Sequence, residues 1–325
     1  MSDPFVRLDV RGFLGMLAAM PGPKMHELTP PQARAQYVAM KDLVDLPQGD
    51  LATVRDVMIP GPAGDIPARL FDAKDRREPG PIVVFYHGGG FVIGSSDSHA
   101  GFCAEMARLL DLPVVSVDYR MGPEDPWPAS PDDAEAAARW IASNPADLAR
   151  TATSLVMAGD SAGGNLAIVT AMALRDAPAA VPVIAQLPIY PATDTSKPYA
   201  SYDLFKDGYL LTKESLAWFE AGYAADHNHV RTSPLLGDLH GMPPAVVVTA
   251  SLDPIRDQGR AYAAALVAAG VPTVFREAVG NIHGFITLRK LIPSAVGDVA
   301  GMMVALKAVI VEAEAHRVMT QASAA

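Results

Sequence analysis

Three side chains in this chain combine the right type with the right neighbours for nucleophilic chemistry: a serine, an aspartate and a histidine. Ser161 stands in Gly159-Asp160-Ser161-Ala162-Gly163-Gly164, after the apolar run Leu155–Ala158 and before a helix-like stretch that starts near Ala162. Gly-x-Ser-x-Gly between a strand and a helix is a nucleophile elbow, a turn so tight that its flanking positions cannot carry side chains. Such a turn holds the serine in a strained conformation with its hydroxyl above the sheet edge, at a helix N-terminus that favours developing negative charge. The five-residue pattern alone would arise by chance roughly 0.1 times in a chain of this composition, so its position between strand and helix carries the weight. A dinucleotide fingerprint would need glycine where Ser161 stands, and a phosphate loop would need Gly-Lys-Ser/Thr next. Both readings fail.

A second signal is His87-Gly88-Gly89-Gly90-Phe91, which follows the run Ile82–Tyr86. Acyl transfer passes through a tetrahedral oxyanion, which needs backbone N–H donors aimed into one space, and consecutive glycines let the chain turn its amides inward. The donors expected here are the amides of Gly89, Gly90 and Ala162. His87 and Gly88 are expected to shape the loop, with His87 tying it down rather than carrying protons.

A serine nucleophile needs a base, and the base needs an orienting carboxylate. Asp253 comes just beyond the run Ala245–Ala250, and His283 lies in the loop-like Asn281-Ile282-His283-Gly284-Phe285 beyond Thr273–Phe275. Both therefore sit past the C-terminal ends of strands, where an open α/β sheet builds its site. The order Ser161…Asp253…His283 is the one expected on such a fold. Asp257 competes for the acid role, but capping of the next helix explains it. Asp160 is read as orienting or structural, with no proton-transfer role. Among the other histidines, His227 and His229 suggest a metal pair but lack a third ligand nearby, so a solvated loop is the better reading. His26 lies in the N-terminal segment, His99 and His240 flank loops, and His316 ends the last helix.

The elements that must position these groups alternate along the chain. Runs apolar on both faces, which suit central strands covered by helices, occur at Ile82–Tyr86, Val114–Val117, Leu155–Ala158, Val183–Leu187, Ala245–Ala250 and Thr273–Phe275. Helical stretches fall between or after them at His99–Leu110, Pro131–Ser143, Ala162–Asp176, Asp257–Ala269 and Gly297–His316, and a hairpin of Val54–Pro60 and Ile66–Phe71 precedes them. The alternation predicts an α/β fold with a mostly parallel sheet and helices on both faces. Two segments stand outside it. Residues 1–50 look helical in pieces, with Thr29 as a cap. Residues 191–238 contain one helix-like stretch, Lys213–Ala225, and an insertion of about 45 residues between strands is usually a lid or subdomain. Both are read as one cap. The expected organisation is 1–50 as the N-terminal part of the cap, 51–190 and 239–325 as the two parts of the catalytic domain, and 191–238 as the cap insertion.

Composition sets outer limits. The 325 residues are 50 % hydrophobic and 19 % charged, with a net charge of −10. That is enough apolar material for a large core, and the negative charge makes nucleic acid and anionic membranes poor partners. The one cysteine, Cys103, excludes an internal disulfide, and on an amphipathic helix it reads as a small buried hydrophobe. No apolar run approaches a membrane span. Arg7 and Arg11 are balanced by Asp3 and Asp9, so no secretory signal is expected. The expected address is cytoplasmic.

Taken together, the motifs resemble the hormone-sensitive-lipase-like esterases, the bacterial family IV carboxylesterases of the α/β-hydrolase fold. The resemblance spans residues 50–316 and rests on His87–Phe91, Gly159–Gly164, Asp253-Pro254 and His283-Gly284-Phe285, with further likeness at Asp118-Tyr119-Arg120, Pro123-Glu124 and Asp207-Gly208-Tyr209. Asp160 resembles the Gly-Asp-Ser-Ala-Gly branch. Met121-Gly122 and Ser251-Leu252 depart from the usual family residues, next to the site but without removing a catalytic atom. The resemblance implies an α/β-hydrolase fold of about eight strands with a helical cap, no metal or organic cofactor, and hydrolysis of short- to medium-chain acyl esters. A small-molecule ester is thus the expected partner, with no stable membrane association. Similar esterases also make Thr273–Phe275 and Gly297–His316 candidates for a homodimer contact, although the same apolar stripes serve the core. Two alternatives stand beside this reading: a non-catalytic small-molecule receptor on a hydrolase fold, and an amidase or lactonase using the same triad.

Overall fold

The computed structural model describes residues 3–324, with side chains described as far as residue 320. Eight strands form one sheet: β1 (Thr53–Gly61), β2 (Gly64–Asp72), β3 (Gly80–Tyr86), β4 (Val114–Val117), β5 (Ala152–Asp160), β6 (Val183–Ile189), β7 (Ala245–Leu252) and β8 (Thr273–Ile282). Their spatial order is β1-β2-β4-β3-β5-β6-β7-β8. β2 is antiparallel to both β1 and β4, and every pairing from β4 to β8 is parallel. The α/β-hydrolase fold expected from the motifs is the fold present.

Neighbouring residues of the central strands enter opposite cores. Ile82, Val84 and Tyr86 of β3 pack in one cluster with Leu155, Met157 and Val247, while Val83, Phe85, Val156, Val246 and Val248 belong to a second cluster on the other face. Both faces are dry, which is why these strands read as unbroken apolar runs instead of alternating. Helices α4 (Ala129–Ala142), α5 (Ala162–Asp176) and α8 (Arg256–Ala268) supply the first cluster, and α3 (Ala100–Leu110) and α9 (Ala295–Ala324) the second.

Both segments outside the sheet pattern are helical. Residues 8–19 form α1, which sends Val10 and Phe13 into the second cluster and so docks on the body of the sheet. α2 (Pro30–Val44) begins at the Pro30-Pro31 pair, where a missing N–H costs nothing. Its Gln32 side chain accepts from the Thr29 N–H at 3.1 Å. The later insertion carries two helices, α6 (Ala200–Phe205) and α7 (Lys213–Tyr223). Only α7 was visible as a period, because six residues are under two turns. Around Ala33, Val92 and Ile93, side chains from both segments, among them Met25, Tyr37, Trp218 and Phe219, build a small separate core. Among the described residues no helix is long and apolar enough to cross a membrane.

Candidate active site

β5 runs on to Asp160, so Ser161 is the first residue past the strand and Ala162 the first of α5. Ser161 has φ 55° and ψ −116°, a conformation that typically costs a non-glycine residue about 1–3 kcal/mol. The cost is offset by over-determination: its N–H donates to the Ile189 carbonyl at 2.8 Å, and its carbonyl accepts from Asn165 and Ala192 at 3.1 and 3.3 Å. The glycines are required by crowding. A Cβ at Gly159 would strike the Gly163 carbonyl, and one at Gly163 would strike the Tyr86 carbonyl.

The two partners arrive on neighbouring strands. A register shift in β7 after Ala250 pairs Leu252 with Ile282 at the end of β8, which sets Asp253 beside His283. β8 is longer than its apolar start suggested. Asn281 and Ile282 belong to the strand instead of a loop, and the polar Arg276 and Glu277 in the middle of this edge strand interrupt its hydrophobic pattern. His283 Nε2 lies 2.8 Å from Ser161 Oγ, and His283 Nδ1 lies 2.7 Å from Asp253 Oδ2. Asp253 is fully buried, and its other oxygen accepts from the Ile255 N–H at 2.9 Å. Asp257, the competing acid, is drawn elsewhere. It accepts from the Ser201 N–H in the first turn of α6 at 2.9 Å and from Arg256 Nε at 2.8 Å, so it serves the N-terminus of α6 and joins it to α8 instead of capping its own helix.

In the glycine loop, Gly89 and Gly90 have φ of 122° and 60°, left-handed values that favour glycine. Among the described residues, no protein group accepts from the amides of Gly89, Gly90 or Ala162. Gly88 does the opposite work. Its N–H donates to Asp160 Oδ1 at 2.7 Å, anchoring the loop to the residue before Ser161. A Cβ on Gly88 would collide with the same carboxylate.

Buried charge beneath this loop is concentrated on Asp160. Burial pushes its carboxyl up, but His99, the Gly88 N–H and His283 outweigh that and hold it below the ordinary carboxylate range. His87 is fully buried with its ring stacked on Tyr119 at 4.4 Å and its Nδ1 2.9 Å from the Gly88 carbonyl. Burial, reinforced by the neighbouring His99, pushes it down to about 3, so it stays neutral. Cys103 is buried on α3, and burial pushes its thiol up, out of nucleophilic range. His227 meets Glu220 at 2.6 Å and Thr195 at 2.9 Å.

Two contributors were not singled out from the sequence. Tyr190 directly follows β6 at φ 33°, donates its hydroxyl to Asp160 Oδ2 at 3.2 Å and lays its ring 4.6 Å from that of His283. Its place directly after a central strand, at the same sheet edge as the motifs, was the available signal. His99 is fully buried, with Nε2 3.2 Å from Asp160 Oδ1. Above the site, the Phe219 ring of α7 lies against Gly90, and Leu210 lies 3.7 Å from the position of a Cβ on Gly284. The segment 191–238 therefore touches the glycine loop on one side and the histidine loop on the other.

This geometry is that of a hydrolytic serine site on an α/β sheet, and the chain belongs to the α/β-hydrolase family, whose description matches residues 83–287. Its activity is that of a carboxylic ester hydrolase of the hormone-sensitive-lipase-like kind. It is 40 % identical to the carboxylic ester hydrolase LipN of Mycobacterium tuberculosis over 73 % of this chain, a match that spans 65 % of the relative's length. It is 34 % identical to an ethyl acetate hydrolase of Pseudomonas putida over 83 % of this chain and 87 % of that one. Among solved structures, an ester hydrolase from the metagenome of Lake Arreo, in complex with a phosphonate derivative, superposes with a TM-score of 0.89. The match has 36 % identity and covers 93 % of this chain and 98 % of the other.

Proposed function

We propose that the protein hydrolyses short- to medium-chain acyl esters through an acyl-enzyme on Ser161. Ser161 Oγ attacks the ester carbonyl as His283 Nε2 takes its proton, and Asp253 holds the Nδ1–H tautomer and stabilises the imidazolium. The oxyanion is received by the amides of Gly89, Gly90 and Ala162, a contribution worth on the order of 10²–10³ in rate per donor. His283 then gives the proton to the leaving alkoxide, and water repeats the cycle on the acyl-enzyme. One observation carries the reading: Ser161, His283 and Asp253 form a hydrogen-bonded chain with contacts of 2.8 and 2.7 Å, and among the described residues the amides of Gly89, Gly90 and Ala162 have no protein acceptor.

The short-chain preference draws support from the Phe219 and Leu210 side chains that crowd the site from the cap, and from the ethyl acetate hydrolase relative. Residues of 1–50 and 191–238 are read as the cap that closes over the acyl chain. A cytoplasmic address belongs to the same reading. A homodimer formed along the exposed edge strand β8, where Val274, Phe275 and Val279 are exposed, is a further part of it. A particle of 34.3 kDa in light scattering would remove that part.

The test is hydrolysis of p-nitrophenyl esters from acetate to dodecanoate by wild type and Ser161→Ala. Turnover that peaks at a short or medium chain and vanishes in the variant is expected. Persistent activity in Ser161→Ala would overturn the nucleophile, and saturable binding without turnover in the wild type would overturn catalysis by this chain.

A further inference from the structure

Phe91 follows directly on Gly90 with a φ of 61°, so Gly89, Gly90 and Phe91 all have positive φ. Glycine takes such values freely. A phenylalanine there is strained by about 1–3 kcal/mol and keeps the conformation only where its surroundings over-determine it. Those surroundings come from three separate parts of the chain. Gly122, past β4, donates its N–H to the Phe91 carbonyl at 2.9 Å. The Tyr223 ring at the end of α7 stacks on the Phe91 ring, with centroids 3.8 Å apart. Arg34 of α2 supplies the third hold. Its Nε donates to the Val92 carbonyl at 2.7 Å and its Nη2 to the Gly122 carbonyl at 2.7 Å. Nη1 and Nη2 also donate to the two carboxylate oxygens of Glu124 at 2.9 and 2.6 Å. The neighbouring Ala33 is buried against Val92 and Ile93, so this end of α2 sits on the turn that leaves the glycine loop.

From this arrangement we propose that Arg34 is a positioning residue for the oxyanion donors, a group of the N-terminal segment that fixes the strained turn after Gly90 and thereby holds the Gly89 and Gly90 amides in place. Rotation about the N–Cα bond of Phe91 toward ordinary negative φ would swing the Gly90–Phe91 peptide relative to Val92. One planar guanidinium grips Val92 and Gly122 together, and Gly122 in turn holds the Phe91 carbonyl, so that rotation works against the whole set of hydrogen bonds. The fork is what the task requires. Its donors lie at fixed angles and span two carbonyls and a carboxylate, which the compact ammonium of a lysine does not. The Glu124 side chain is 50 % exposed, so its ion pair orients the fork but contributes little by itself. The kinetic consequence rests on the proposed acyl-enzyme mechanism, whereas the fixing of the turn does not.

Arg34→Met and Arg34→Lys, checked for folding by circular dichroism, are compared with wild type in three measurements. The lysine variant keeps the charge and carries the test if the methionine variant does not fold. In both, kcat for p-nitrophenyl butyrate should fall about ten- to a hundredfold with KM changed less than about threefold, because the oxyanion forms only along the reaction path. The inhibition constant of a trifluoromethyl ketone, which forms a tetrahedral oxyanion on the serine, should rise by the factor by which kcat/KM falls. The Val92 and Ile93 amides both donate to the Gly89 carbonyl, and their hydrogen exchange should quicken at least about tenfold while the amides of β5 keep wild-type rates. Wild-type kcat in either folded variant, a loss carried by KM alone, or exchange that quickens equally throughout the sheet would each overturn the proposal. Persistent turnover in Ser161→Ala would instead overturn the acyl-enzyme, and the exchange rates of Val92 and Ile93 would then decide the role of Arg34 in fixing the turn.

Discussion

Asp45 and Arg289 are 244 positions apart and form a buried, two-pronged ion pair, with Nε and Nη2 of the arginine donating to the two carboxylate oxygens at 2.8 Å each. Both residues are at most 5 % exposed. Asp45 follows directly on α2 in the N-terminal segment, and Arg289 lies six residues past His283, so the pair fastens that segment to the stretch after His283. Replacing only one partner leaves a buried charge unpaired. Arg289→Met is expected to lower unfolding stability by about 3–5 kcal/mol, read from denaturant midpoints. A loss under about 1 kcal/mol would mean that solvent reaches the pair.

Asp253→Asn tests the tautomer argument. The Ile255 N–H occupies one side of the carboxylate, so an asparagine turns its carbonyl there and presents its NH₂ to His283 Nδ1. That arrangement stabilises the tautomer with the proton on Nε2, which cannot accept from Ser161. The expected loss in kcat is on the order of 10⁴ at neutral pH, with the fold intact by circular dichroism. A loss below tenfold would show that the carboxylate does not control the ring.

Phe219 blocks space directly over Gly90. Phe219→Ala should raise the decanoate-to-butyrate ratio of kcat/KM by at least about tenfold, mainly through a lower KM for the longer ester. If neither the acyl series nor an alcohol series responds, the ring does not bound the substrate pocket.

The pH dependence of stability follows from His87. Its value falls from an ordinary 6.5 to about 3 in the folded protein, so between those limits the unfolded chain binds a proton that the native state excludes. Stability from this group is therefore full above about pH 6.5 and is lost as pH falls toward about 3, with a slope near 1.4 kcal/mol per pH unit. His87→Gln removes that proton. Its unfolding free energy should fall less steeply than that of wild type between about pH 6 and 4, whatever its absolute stability. Parallel slopes would show that His87 titrates in the native state.

The parts of the site that were legible in the sequence are those enforced by local sterics. Gly159, Gly163 and the run Gly88–Gly90 have no room for a Cβ or need positive φ, so they mark the elbow and the loop whatever surrounds them. Asp253 and His283 were legible for a different reason: they sit just past apolar runs, and the carboxyl ends of parallel strands share one edge of a sheet. The extent of β8 was not legible, since an edge strand buries only part of its length and its polar residues break the pattern. α6 was too short to show a period.

What the chain's order of residues determined by itself was the fold class and the candidate residues Ser161, Asp253 and His283, because turn geometry and apolar periodicity are short-range properties. What the tertiary structure alone decided was which groups work together. Asp160 could be read only as orienting or structural until the fold placed Gly88, Tyr190 and His99 around it from three different elements. His99 resembled any polar residue at the start of a helix. Its Nε2 meets Asp160 only when α3 and β5 pack. Hydrogen-bond partners at long sequence separation depend on the distance between elements in space, and no local pattern encodes that distance.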